Sequence, residues 1–133
     1  MRAVRIAYIL GFLEGAGAHL FDVIAGGLHA YRGFPLPSQI LFHLLLILDP
    51  VAAYAIVRRG PWGPVLACGI MISDLAANWL GGWQAVSASP GILLRPYGLS
   101  VLTLFGLFVF ITAIPLRKFF TDTASARQAA KYA

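Results

Sequence analysis

A chain of 133 residues that is 59% apolar and only 11% charged, with a mean hydropathy of +0.80, is no water-soluble globule; it reads as a single integral membrane domain. The formal net charge of +5 does not indicate nucleic acid, because the basic residues are scattered through connections and ends and form no stripe. A single cysteine, Cys68, excludes an intramolecular disulfide and a thiolate metal cage.

Arg2 and Arg5 precede the first predicted span, residues 4–31. Ala16-Gly17-Ala18 has the look of a signal-peptide cleavage site, but Glu14 just ahead of it argues against removal. Wound at 100° per residue with His19 at zero, Asp22 falls at about −60°, His29 at about −80° and Glu14 at about −140°. Gly11, Gly15, Ala18, Ala25 and Gly26 share that arc, while Ile9, Leu10, Phe12, Leu13, Leu20, Val23, Ile24 and Leu28 fall opposite. The pattern predicts a helix with its back to lipid and a small, polar face toward other helices. Gly11 and Gly15 form a GxxxG that permits close helix packing.

Gly33, Pro35 and Pro37 break the chain before a second span, 38–57, with Ser38 as its expected N-cap. That span carries His43 and Asp49, and Pro50 frees a backbone carbonyl one turn earlier, near Leu46. After the basic turn Arg58-Arg59-Gly60-Pro61, a third span, 62–83, holds Asp74 and Asn78 at i, i+4 on one face. Trp62 marks one interface; Trp79 and Trp83 mark the other. Residues 84–96 form the longest connection, with Ile92-Leu93-Leu94 expected to dip into the membrane surface. A fourth span, 97–116, has only Ser100, Thr103 and Thr112 as polar side chains, and Pro115 with Arg117-Lys118 is expected to end it. Residues 119–133 then form a polar tail, either a short surface helix or disordered.

Short connections predict a compact all-α, antiparallel bundle of four transmembrane helices over residues 1–118. Arg2, Arg5, Arg58, Arg59, Arg117, Lys118, Arg127 and Lys131 fall on one side and Arg32 and Arg95 on the other. The positive-inside rule then puts both termini in the cytoplasm, as in a protein of the bacterial inner membrane.

Of the five acids, Glu14, Asp22, Asp49 and Asp74 lie inside predicted spans, as do His19 and His43. An intramembrane acid costs at least about 2.5–3.5 kcal/mol on insertion scales and usually marks a site or pathway. Depth reckoned from the helical rise places His19, Asp49 and Asp74 near mid-membrane. Asp22, His43 and Asn78 come out nearer the outer leaflet, and Glu14 toward the cytoplasmic side. One outward-open cavity with Glu14 at its floor is the expected site. Crowded carboxylates in a low-dielectric site cannot all stay ionised, and histidine titrates in the range proton transfer needs. Plainer readings stand beside this one: Asn78 as interhelical glue, Asp49 as an acid stabilising the Pro50 kink, and Asp22 and Asp74 as hydrogen-bonded across helices. His29 and Asp122 fall near or outside the membrane boundary and have no special role.

Glu14 in the first of four short spans resembles the small multidrug resistance transporters, which carry a membrane-embedded glutamate there and function as dimers. The resemblance covers the first span and overall size, and it implies drug/proton antiport through Glu14; Asp49 and Asp74 depart from that family's pattern. The pairing of histidine with acids is similar in chemistry to emopamil-binding-type sterol isomerases. Four readings stay open: proton-coupled transport or binding of a small molecule, a lipid-active enzyme using His19 or His43 with an acid, a metal or haem subunit, and an accessory subunit of a larger membrane complex. Ligation of a metal would fall to His19, Asp22 and His43. The expected partners are the lipid bilayer, a small-molecule or lipid ligand, and a second copy or larger complex. No catalytic triad or phosphate loop is present, which argues against hydrolysis and ATP use.

Overall fold

The computed structural model describes residues 1–95 and 98–132. It contains four long helices, α1 (Arg2–Gly26), α2 (Leu36–Val57), α3 (Gly63–Ala88) and α4 (Leu99–Tyr132), and no strand among the described residues. Short 3-10 turns at Gly27–His29 and Pro90–Leu94 sit in two of the connections. All four helices are long and apolar enough to cross a membrane. Their outward faces carry large apolar side chains, among them Ile24 at 76% exposure, Ile47 at 65% and Ile114 at 79%, as befits a membrane protein.

The helices run antiparallel to their chain neighbours. Along α1 and α2, Arg5 reaches Val57, Gly15 faces Asp49 and His19 stacks on Phe42, so partner numbers fall on one helix as they rise on the other. Along α3 and α4 the pairs are Trp62 with Arg117, Leu75 with Gly106 and Trp79 with Thr103. One end of the bundle therefore gathers Arg5, the α2–α3 turn, Trp62 and residues 117–120.

The core is densest toward that basic end, where Tyr8 and Phe12 of α1 meet Ala52 and Ile56 of α2, Ala67 of α3, and Val109, Leu116 and Phe120 of α4. Phe12, expected on the lipid side, is buried at 1% exposure with its ring edge-on to Phe105. The bulk of this phenyl group is accommodated between α1 and α4, at the border of the polar arc. Leu13, Leu20, Ile24 and Leu28 do face outward, whereas Leu10 borders the gap between α1 and α4.

Helix ends differ from expectation in four places. The α-helical part of α1 stops at Gly26, and 3-10 geometry takes over through His29. Pro35, already extended, is the N-cap of α2; Pro37 fits its first turn because proline's missing N–H is an orphan there anyway, and Ser38 is buried inside the helix with no capping bond. The α3 helix runs to Ala88, and the Pro90–Leu94 turn packs back against it. Ile92 and Leu93 are half-buried there, while Leu94 points outward. Pro115 does not end α4. The missing N–H costs one hydrogen bond to the preceding turn, and a proline so placed is tolerated where the helix on either side is strong. The helix continues through the polar tail to Tyr132, 34 residues in all, or about 51 Å.

Candidate functional site

α1 packs along α2, α2 along α3 and α3 along α4, while α1 and α4 share a much smaller contact, with Tyr8 and Gly11 of α1 meeting Val109, Thr112 and Phe105 of α4. There the Tyr8 hydroxyl donates to the Val109 carbonyl at 2.8 Å and accepts from Thr112 Oγ1 at 3.1 Å. One turn further, the Phe105 ring lies directly over Gly11, in space that any side chain at position 11 would occupy. Beyond this closure the two helices flank a cavity of about 690 Å3. α1 supplies Glu14, His19 and Asp22 as its polar wall, and α4 supplies Leu99, Leu102 and Phe105 opposite; Asp49 of α2 and Met71, Asp74 and Asn78 of α3 form the back.

Each polar group is held differently. Asp49 is 4% exposed overall and lies against Gly15, whose missing side chain makes room for the carboxylate. Asp74 is 7% exposed, and its Oδ1 accepts a hydrogen bond from Asn78 Nδ2 at 2.8 Å, one turn along the same helix. Asn78 also donates to the Asp74 carbonyl, at 3.1 Å. Both bonds stay within α3, so Asn78 orients an acid on its own helix. His19 stacks on Phe42, with centroids 5.7 Å apart, and places Nδ1 2.9 Å from the Tyr31 hydroxyl. That hydroxyl also lies 3.3 Å from Asp22 Oδ2. It has a single proton, so donating to the Asp22 carboxylate leaves its oxygen to accept from His19 Nδ1–H. Glu14 and Asp22 are exposed along the open side, with Glu14 nearest the closed end.

Six of the seven residues expected at the site thus line one cavity: Glu14, His19, Asp22, Asp49, Asp74 and Asn78. His43 does not. Its Nδ1–H donates to the Gln39 carbonyl at 2.7 Å, and its ring meets Tyr31 edge-on, with centroids 5.2 Å apart. It borders a shallow groove with Leu28, Leu36 and Gln39 instead. No three His, Cys, Asp or Glu side chains converge to hold a metal ion among the described residues, so His19, Asp22 and His43 are not gathered into one ligand set. His29 is exposed at the end of the 3-10 turn.

Tyr31 is the residue that sequence reasoning missed. It is only 6% exposed, folded back from the α1–α2 connection onto His19 and Asp22. An aromatic residue at the end of a span reads as an interfacial anchor, and nothing in the pattern marks it as a hydrogen-bond partner twelve residues back. Met71 and Phe105 also went unmarked, since both look like ordinary apolar positions.

The fold and site define a class: an all-helical chain with four membrane-length apolar helices around a cavity rich in carboxylates. No protein-family model, curated protein or solved structure matches the chain, so the site is understood from its own geometry.

Proposed function

We propose that this chain is an integral membrane protein that binds a small cationic molecule in the α1–α4 cavity and exchanges it against protons, as a proton-coupled transporter does. The observation that carries this reading is the lining itself: four carboxylates, one histidine and one amide share a single cavity, with no lysine or arginine among the described residues of its walls. A cavity of about 690 Å3 is within the usual size range for small-molecule sites. Its apolar wall of Leu99, Leu102 and Phe105 suits a ligand that is part hydrocarbon. Carboxylates buried in an apolar bundle bind a cation when ionised and a proton when not, so the two compete for the same oxygens.

With the basic end in the cytoplasm, the closed half of the bundle faces inward and the cavity opens in the outer half, between α1 and α4. The test is binding of the tetraphenylphosphonium cation to detergent-purified protein by equilibrium dialysis across a pH series. Saturable binding that strengthens as pH rises, and that disappears in Asp49→Asn and Asp74→Asn, supports the reading; binding that ignores both pH and these substitutions refutes it.

The lipid-active enzyme is favoured by one separate observation, the Asp22–Tyr31–His19 chain of hydrogen bonds beside the cavity's open side. Such a chain orients a histidine for proton transfer. A bound lipid of defined mass that returns chemically altered would move the assignment to that reading.

A further inference from the structure

The basic end of the bundle holds a second set of groups that the cavity does not use. Arg5 of α1 places its guanidinium over the Phe120 ring of α4, 5.9 Å from the centroid, and its Nη2 makes a long bond of 3.4 Å to the Val57 carbonyl at the end of α2. Its Nε is buried with no partner. Arg117 lies one turn before Phe120 on α4, and its guanidinium covers the Trp62 ring at 5.5 Å. Arg58 similarly lies over Tyr54, at 6.0 Å. Among the described residues, aromatic faces and a carbonyl, not carboxylates, are thus the partners of these cations, and Asp122 is the only acidic side chain in this part of the sequence.

Arg59 adds an independent sign. It adopts φ 58°, the left-handed conformation that a helix C-terminus normally assigns to glycine. Gly60 stands one place further on, so the chain keeps an arginine in the strained position with a glycine next door. Held there, Arg59 stands two residues beyond Val57, whose carbonyl Arg5 reaches, so both cations belong to the end of α2. Like charges gathered at one end of the bundle repel, and backbone strain maintained at such a place points to a function.

We infer that Arg5, Arg59 and Arg117 form a site for the phosphate of an anionic phospholipid at the basic end of the bundle. The three come from α1, the α2–α3 turn and α4, so a phosphate between them would tie these three segments together at the end of the bundle. Guanidinium forks match phosphate oxygens in geometry and charge. Trp62, 72% exposed, and Tyr54, 62% exposed, stand beside the cations as aromatic residues do at headgroup depth. Basic pockets between helices on the cytoplasmic side bind anionic headgroups in this way. The site rests on the helices spanning a bilayer and is independent of what the cavity binds.

The experiment reconstitutes the full chain in phosphatidylcholine vesicles, in vesicles with 30% phosphatidylglycerol, and in phosphatidylcholine with 20 mM inorganic phosphate, and reads flotation and thermal unfolding. Co-flotation with a melting temperature at least about 3 °C higher in the phosphatidylglycerol vesicles, and unchanged by inorganic phosphate, is the expected result. An equal rise with inorganic phosphate assigns the site to free phosphate and overturns the lipid. Arg59→Gly relieves the strained backbone, so in phosphatidylcholine it should melt no lower than the parent, yet it should lose most of the phosphatidylglycerol increment. Arg5→Gln should lose that increment too. The double variant Arg127→Gln/Lys131→Gln removes charge from the far part of α4 and should keep it; loss of the increment there as well would reduce the effect to overall charge and overturn the site. Failure to float removes the bilayer and the site together.

Discussion

Gly15 of α1 and Asp49 of α2 are in direct apposition: a Cβ built on Gly15 would come within 2.8 Å of Asp49 Oδ2. The glycine thus does more than let two helices approach. It leaves the volume in which a buried carboxylate sits at the cavity wall. Gly15→Ala should push that carboxylate outward or spread α1 from α2. Overpacking of this kind costs about 1–3 kcal/mol, and thermal unfolding in detergent should show it as a lower melting temperature. An alanine variant as stable as the parent, with cation binding intact, would mean that Asp49 moves freely and its placement is not enforced.

The Tyr31 hydroxyl links His19 Nδ1 to Asp22 Oδ2. Tyr31→Phe keeps the ring against Phe42, 4.9 Å away between centroids, so packing should survive. The lost hydrogen bonds should lower stability by about 1 kcal/mol, since exposed Asp22 can turn to water. The larger effect belongs to His19. Its Nδ1 loses the partner that fixes its protonation, and the imidazole signals in nuclear magnetic resonance should show a changed tautomer balance. If those signals are unaltered, the tyrosine is a packing residue only.

Much of this arrangement is legible in the sequence, because membrane helices leave few places for charge. Glu14, His19 and Asp22 fall on one arc of α1 by periodicity alone, and Asp74 and Asn78 share a face of α3 by their i, i+4 spacing. Those five do line the cavity together with Asp49. His43, expected there on depth alone, lies outside, because depth along a helix does not say which groove a ring borders. Phe12 shows the converse. A phenyl group on the lipid side of a wheel is buried when the neighbouring helix crosses at that level, and the crossing of α4 depends on Phe105 and Tyr8, which no pattern within α1 reveals. α4 continues past Pro115 for a local reason: Phe120 is anchored in the core just beyond the proline, and residues 124–132 are rich in alanine, arginine, glutamine and lysine, all good helix formers.

The buried acids give a signed pH dependence. A cation binds the ionised carboxylate, so affinity for tetraphenylphosphonium should be greatest at alkaline pH and fall as protons occupy Asp49 and Asp74. Protonation of His19 adds positive charge to the same cavity and acts in the same direction. Asp74→Asn keeps an oxygen for Asn78 Nδ2 and should fold with stability within about 1 kcal/mol of the parent. Its binding at pH 8 should nevertheless drop by tenfold or more, about 1.4 kcal/mol or greater. Equilibrium dialysis of parent and variant at pH 5 and pH 8 separates the two effects: a variant that retains the parent's pH profile removes Asp74 from the binding step.

Tyr8 is fully buried, and its hydroxyl is the polar clasp between α1 and α4, bonded to the Val109 carbonyl and to Thr112. Tyr8→Phe leaves the ring in contact with Phe108 and Phe12 and removes only the clasp. Val109 can keep its helical hydrogen bond, and Thr112 can turn its one proton to the Phe108 carbonyl 2.6 Å away, so no group is stranded and the cost should stay near 1 kcal/mol. The consequence should be kinetic. With α1 and α4 less firmly joined below the cavity, the gap between them opens more often, and entry and exit of the cation should both quicken by a few-fold while the dissociation constant hardly changes. Stopped-flow measurement of association and dissociation rates checks this. A Tyr8→Phe protein that melts lower but exchanges ligand at the parent's rates would show that ligand enters elsewhere than between α1 and α4.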